Sequence, residues 1–355
     1  MVGPEVYPKF KAAAVQAGQV LHEPPYCFDV KATLEKAISY IDQAGKNGAR
    51  LIVFPECWLP SYPHRPLYIF ERNLGIIWAE LLKHSIEVPG AETEELGKAA
   101  RRANAYVVMG INERDRKYQG RMYNSLLYIG PRGEVMGVHR KISNTIYERL
   151  FHTPGDGGTN LKAIFPTEVG IIGGSICGEH CQHLLLYNWI MQGLQVHCSA
   201  WPGHSASTLK TIMDVQTRAL CTSGGVFAVL SAAYLPPQDR PKVFLKSESP
   251  HDQWCGGSGI IDPYGNYIAG PVYDQETIVY GDIDLSEVMV KKHSVSPTGI
   301  YSRWDILSLA VRQHEYEPLI PLEDNDMSER AATSERLKAL EEHVKELERR
   351  LASTQ

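Results

Sequence analysis

The sequence predicts an α/β fold, and three patterns predict it. Eight short apolar runs are spaced along the chain before residue 286, two segments between them carry apolar residues at helical spacing, and Gly/Pro turns separate others. Near-continuous apolar runs are what strands covered on both faces look like, and strand–helix–strand order places them in helix-flanked sheets.

The first strands predicted are FKAAAVQA (10–17), RLIVFPE (50–56), AYVVMGINE (105–113) and NSLLYIG (124–130). VGIIGGSIC (169–177), QVHCSAWP (195–202), GVFAVLSAAY (225–234) and TIVYGDIDL (277–285) follow. Between the first two, Leu34, Ala37, Ile38, Ile41 and Ala44 recur at helical spacing, and GKNG ends the element. Leu96, Ala99, Ala100 and Ala103 mark a second helix before the third strand. GPRGEV (130–135) and DPYGN (262–266) are hairpin-type turns, which imply antiparallel pairs in a mixed sheet.

The tail differs in kind. Residues 316–355 are set apart from a body spanning 1–315. Within the tail, Leu337, Leu340, Val344, Leu347 and Leu351 alternate at steps of three and four, predicting an amphipathic helix over 334–351. Glu341 with Lys345 and Glu346 with Arg350 are spaced for i,i+4 pairing. Such a seam fits a helix lying on its own domain or a short coiled coil between subunits.

Composition narrows the function. The chain has 355 residues, enough for one large domain or two modest ones, with 43% hydrophobic and 22% charged residues. Its formal net charge is −5 and no basic cluster stands out, which argues against nucleic acid as a partner. The chain opens without a secretory pattern and holds no uncharged apolar run of bilayer length, so no membrane association is expected. Seven scattered cysteines then read as reduced thiols in the cytoplasm.

Three predicted strands end in reactive residues: Glu56, Lys141 (closing VMGVHRK) and Cys177. Each alone has an ordinary reading, as a loop carboxylate, a surface charge or an inert core thiol. As a set they make chemical sense, because ligand crevices form at strand carboxyl ends. A buried carboxylate can take a thiol proton, and an ammonium can stabilise both the thiolate and the anion that develops on the substrate. The residues GGSICGEHCQH (173–183) also raise a metal site from Cys177, His180, Cys181 and His183. Zinc ligands come in two separated pairs, and no second pair completes this one. The thiol reading wins, and no metal is expected.

With these residues placed, the chain resembles the nitrilase superfamily of carbon–nitrogen hydrolases, in its nitrilase and cyanide-degrading branch. KFKAAAVQA, LIVFPECWLPSYP, GVHRKI, YERLFHTPGDG, GGSICGEH, HCSAWPG and GIYSRWDILSL fall in the family's order over roughly residues 8 to 315. The resemblance implies a four-layer α-β-β-α sandwich, a Glu56–Lys141–Cys177 triad, a second glutamate at Glu148, and no cofactor. It also implies a homo-oligomer, dimers that build into spirals or filaments. The expected activity is hydrolysis of a small-molecule nitrile to the acid and ammonia, with Lys141 and the Gly178 N–H holding the developing anion. Trp58, Tyr62 and Trp201, just past strand ends, are candidates for the substrate wall.

Departures from the family pattern bear on the pocket: Gly178 where Trp is usual, Asn144-Thr145 for Pro-Thr, Ser61 for Gly, and Trp304 for Pro. Gly178 is expected to open space beside the nucleophile. Rival readings are an amidase or carbamoylase with the same triad, a nitrile or cyanide hydratase that releases the amide, and a non-catalytic assembly scaffold.

Overall fold

The computed structural model describes residues 7–69, 74–203, 207–246, 254–294, 296–315 and 324–352. The chain divides into a body, Met1–His314, and a tail unit, Glu315–Gln355.

The body holds two six-stranded sheets. The first is built from β1 (Lys9–Gln16), β2 (Ala49–Val53), β3 (Tyr106–Arg114), β4 (Met122–Ile129), β5 (Val135–Arg140) and β12 (Thr277–Asp284), in the order β12-β1-β2-β3-β4-β5. The second comprises β6 (Ile164–Thr167), β7 (Gly170–Ile176), β8 (Val196–Trp201), β9 (Phe227–Ala232), β10 (Gly256–Ile261) and β11 (Tyr267–Tyr273), in the order β11-β10-β9-β8-β7-β6. In each sheet three strands run parallel, β1-β2-β3 and β7-β8-β9, and antiparallel strands flank them. The turns at 130–135 and 262–266 join β4 to β5 and β10 to β11 as antiparallel pairs.

Period-two geometry explains the apolar runs. Ala12, Ala14, Leu51, Val53, Val108, Leu126 and Tyr128 face the second sheet, where they meet Ile172, Ile176, Val196, Cys198 and Ala200. Their neighbours Ala13, Val15, Ile52, Val107, Met109 and Leu127 face outward onto helices α1 (Val30–Lys46) and α4 (Ala91–Ala103). Those helices return Ala37, Ile41, Ala44, Leu96, Ala99 and Ala100, the residues whose spacing predicted them. Asp29 caps α1 by accepting the Ala32 N–H, and Asn104 closes α4 in the left-handed region.

The far face of the second sheet is covered by α5 (His183–Met191) and α6 (Ser207–Gly224), through Leu186, Trp189, Ile190 and Leu220. Four layers result: helix, sheet, sheet, helix. Helices α2 (Pro66–Ile69), α3 (Leu74–His84) and α7 (Ser286–Ser294) lie outside this stack. The tail unit contains α8 (Asp324–Ala352). No helix among the described residues is long and apolar enough to cross a membrane.

The layer between the sheets carries the cohesion of the body. Leu126 is fully buried there. Leu126→Ala should cost about 2–5 kcal/mol, lost transfer energy plus a cavity the sheets cannot close, read as a lowered denaturant midpoint at unchanged far-UV dichroism.

Candidate active site

Glu56, Lys141 and Cys177 follow β2, β5 and β7, so the two sheets present them from opposite sides at one end of the sandwich. The Lys141 ammonium is fully buried and donates to Glu56 Oε1 at 2.8 Å and to Glu148 Oε1 at 2.7 Å. Glu148 sits on a 3₁₀ turn, Ile146–Leu150, and its Oε2 accepts the Thr145 N–H at 3.1 Å. Tyr62 donates its hydroxyl to Glu148 Oε1 at 2.9 Å.

Glu56 has one oxygen committed and one free. Asn124, on β4, donates to the same Oε1 at 2.6 Å, while Oε2 is buried with no hydrogen-bond partner among the described residues. Burial pushes the Glu56 carboxyl up to about 8, with the Lys141 charge opposing and the Glu148 charge adding to the rise. Glu148, bonded to Lys141 and a backbone N–H, is held below its ordinary value despite its burial. Lys141 is held well above its own by the two carboxylates. Burial raises the Cys177 thiol well above the usual range and Glu56 adds to this, whereas Lys141 and the Gly178 N–H on the sulfur favour the thiolate.

Backbone strain gathers here. Of the five non-glycine residues with positive φ among those described, Cys57 (φ 43°), Ile146 (φ 31°) and Cys177 (φ 47°) adjoin or belong to this cluster. At Cys177 the strand turns sharply into a 3₁₀ turn, Cys177–Cys181.

Sequence reasoning missed the group that fastens this turn. Glu179 is fully buried and accepts the Ile142 N–H at 2.7 Å, the Ile176 N–H at 3.0 Å and the His139 Nε2 proton at 2.9 Å. Ile142 follows Lys141 and Ile176 precedes Cys177, so one carboxylate ties the lysine strand to the cysteine strand across the two sheets. His139 and these N–H groups keep Glu179 ionised against its burial. Its only signals in the sequence were a Glu inside GEH and a His inside an apolar run.

The residues weighed as metal ligands separate. His180 is buried, with Nδ1 on the Cys177 carbonyl at 2.8 Å and Nε2 2.7 Å from Ser199 Oγ. Cys181 and His183 are exposed. No group of three or more His, Cys, Asp or Glu among the described residues is placed to hold a metal. Because the Cys177 carbonyl only accepts, the His180 proton sits on Nδ1. Burial pulls the ring down to about 4, so it is neutral near pH 7.

The aromatic candidates divide. Tyr62 joins the cluster through Glu148. Trp58 turns away into the helix-facing core, 5.1 Å from Phe54, with its indole N–H on the Ala17 carbonyl. Trp201 packs 4.8 Å from His180 and donates to Ser199 Oγ, and its carbonyl accepts the Glu56 N–H at 3.4 Å. A different aromatic row extends from Tyr62: His64 at 4.9 Å, then Trp254 4.1 Å from His64, then Phe244. The space expected beside Gly178 is narrowed, because a Cβ there would lie 2.8 Å from Thr145 Oγ1.

Comparison with known proteins agrees with this architecture. The carbon–nitrogen hydrolase family model matches residues 11–292. A nitrilase from Bacillus sp. (strain OxB-1) is 31% identical over 323 residues, covering 88% of this chain and 91% of that protein. A bifunctional nitrilase/nitrile hydratase of Nicotiana tabacum, NIT4B, is 32% identical over 326 residues, covering 88% of each. Among solved structures, Saccharomyces cerevisiae Nit3, of the nitrilase superfamily, superposes with a TM-score of 0.67 at 20% identity, covering 86% of this chain and 99% of that one.

Two outcomes test the geometry. The rate at which a small electrophile alkylates Cys177 should rise with pH up to about 8 and then level, following ionisation of Glu56. Glu56→Gln should remove that limb and leave a rise only in the far alkaline range; an unchanged limb would exclude Glu56 as the base. Glu179→Gln, which leaves a backbone N–H facing an amide, should destabilise the fold by about 3 kcal/mol and slow Cys177 alkylation together.

Proposed function

The chain belongs to the carbon–nitrogen hydrolase family and is an enzyme of that class, and from that premise we propose that it is a nitrilase, converting an organic nitrile and two waters to a carboxylic acid and ammonia. The observation that carries the reading is the half-committed Glu56. One oxygen is fixed by Lys141 and Asn124, and the other is buried and free to exchange a proton.

The Cys177 sulfur adds to the nitrile carbon while Glu56 Oε2 accepts the thiol proton. The developing negative nitrogen is stabilised by the Lys141 ammonium and the Gly178 N–H, then takes the proton back to give a thioimidate. Water, deprotonated by Glu56, adds to the thioimidate carbon. Glu56 returns that proton to the nitrogen as the tetrahedral species collapses, expelling ammonia and leaving a thioester. A second water, activated in the same way, releases the acid and restores the thiol. Glu148 keeps Lys141 charged and in place, and Tyr62 holds Glu148.

The aromatic row from Tyr62 to Trp254 supports a substrate with an apolar or aromatic group on the nitrile carbon. Expulsion of sulfur instead of ammonia from the tetrahedral species gives the amide, and a relative whose name joins both activities makes that second product worth measuring. In this reading residues 1–315 are the catalytic domain, working in the cytoplasm. Copies of it associate through surfaces bearing exposed apolar side chains such as Leu184 and Trp304.

A product-resolved panel of aliphatic, aromatic and arylaceto nitriles beside the matching amides tests this. Acid and ammonia should form from at least one nitrile faster than from its amide, and Cys177→Ala should lower the rate by at least about 10⁴-fold. Turnover confined to amides would replace the reading with an amidase. Absence of both turnover and a Cys177 adduct would leave a scaffold.

A further inference from the structure

α8 is a 29-residue helix, about 43 Å long at 1.5 Å per residue. Every side chain described from residue 334 to 345 is exposed, the apolar ones included: Leu337 at 58%, Leu340 at 62% and Val344 at 48%. These three begin the seam that continues in sequence through Leu347 and Leu351. A helix that presents a row of leucines to water is marginal by itself, because helices gain most of their stability by burying such a face.

The flanking charges identify the occupant. With Leu337, Val344 and Leu351 at a and Leu340 and Leu347 at d, the positions beside the seam are fixed. The g positions are Arg336, His343 and Arg350, and the e positions within the seam are Glu341 and Glu348. In a parallel pair, g of one helix faces e of the next heptad on the other, so Arg336 meets Glu341 and His343 meets Glu348. In an antiparallel pair, g faces g and e faces e, so bases meet bases and glutamates meet glutamates in every register. Charge at these positions sets partner and orientation in coiled coils. A lone amphipathic helix has no need for one flank basic and the other acidic.

We infer that α8 pairs with α8 of a second copy of this chain as a parallel, in-register two-stranded coiled coil. At the central layer Val344 at a, flanked by Leu340 and Leu347 at d, favours two strands over three or four. The seam has five layers, so pairing is concentration-dependent unless a second contact between the copies raises the effective concentration. The inference does not depend on the proposed activity.

Cross-linking of the full-length chain tests it. In a Cys181→Ser background, which removes an exposed thiol, Leu337→Cys places a thiol at an a position, where the two copies approach to about 6 Å between Cα atoms in the parallel arrangement only. Mild oxidation should give a covalent dimer, and Glu342→Cys, at the outward f position, should give at most about a tenth as much. Adding Glu341→Lys to the Leu337→Cys protein should lower the dimer yield at least about twofold by setting like charges across the seam, and adding Arg336→Glu as well should restore it. A yield that Glu341→Lys leaves unchanged or raises would mean that g–e pairing between parallel copies does not set the arrangement. Equal yields from residues 337 and 342, or no dimer from either, would mean that the seam does not pair in parallel with its own copy. Each of these results overturns the inference, and none requires an activity measurement.

Discussion

The body is organised around one buried ammonium. Lys141 has no access to water, and desolvating a lysine without compensation would drive it to its neutral form. Two carboxylates within 2.8 Å prevent that, and the cluster they make has one charge too many if both are ionised. The protein settles the surplus asymmetrically. Glu148 receives a backbone N–H on its second oxygen and keeps its charge, whereas Glu56 has a bare second oxygen and holds a proton more readily. Unequal hydrogen bonding, not unequal distance from lysine, separates the carboxylate that stays ionised from the one that more readily holds a proton.

That asymmetry requires strands from both sheets to end at matched heights. The sheets meet through apolar side chains, which fix spacing but not sliding. Directional bonds fix sliding: Glu179 receives one N–H from beside Lys141 and another from beside Cys177. The left-handed turns at Cys57, Ile146 and Cys177 are sustained against their strain by this packing and these bonds. A buried, ionised Glu179 would be a poor stability device compared with an apolar side chain. Its three accepted bonds make sense as alignment of Cys177 with Lys141.

Legibility in the sequence followed how local each feature was. Strands buried on both faces, such as β1 and β3, were visible as apolar runs, and α1 and α4 as periodic stripes, because burial pattern and sequence pattern are the same quantity there. β6, β10 and β11 were not singled out. β11 is half-buried with an interior glycine, β6 has four residues, and β10 is half glycine, so none carries a run. Glu56, Lys141 and Cys177 were visible because they interrupt apolar runs at strand ends, and family order then linked them. Asn124 was hidden at the start of an apolar strand, and Glu179 two residues past Cys177, since their importance lies in partners distant in sequence. Trp58 and Trp201 show the reverse limit: a strand-end position says that a ring is near the crevice, but only the local backbone decides which way it turns.

α8 obeys the same rule with the partner removed. In α1, the apolar stripe Ala37–Ile41–Ala44 is satisfied by a sheet in the same body, and the opposite face needs no particular charge order. In α8 the stripe is equally regular, yet Leu337, Leu340 and Val344 remain in water, and charge is ordered on both sides of the stripe. Ordered charge beside an apolar seam costs the sequence freedom that an interior contact does not demand, and it discriminates only between copies of a helix aligned in opposite senses. The body's chemistry is encoded by groups that find each other within one chain, and the tail's seam is encoded for a surface that lies on another.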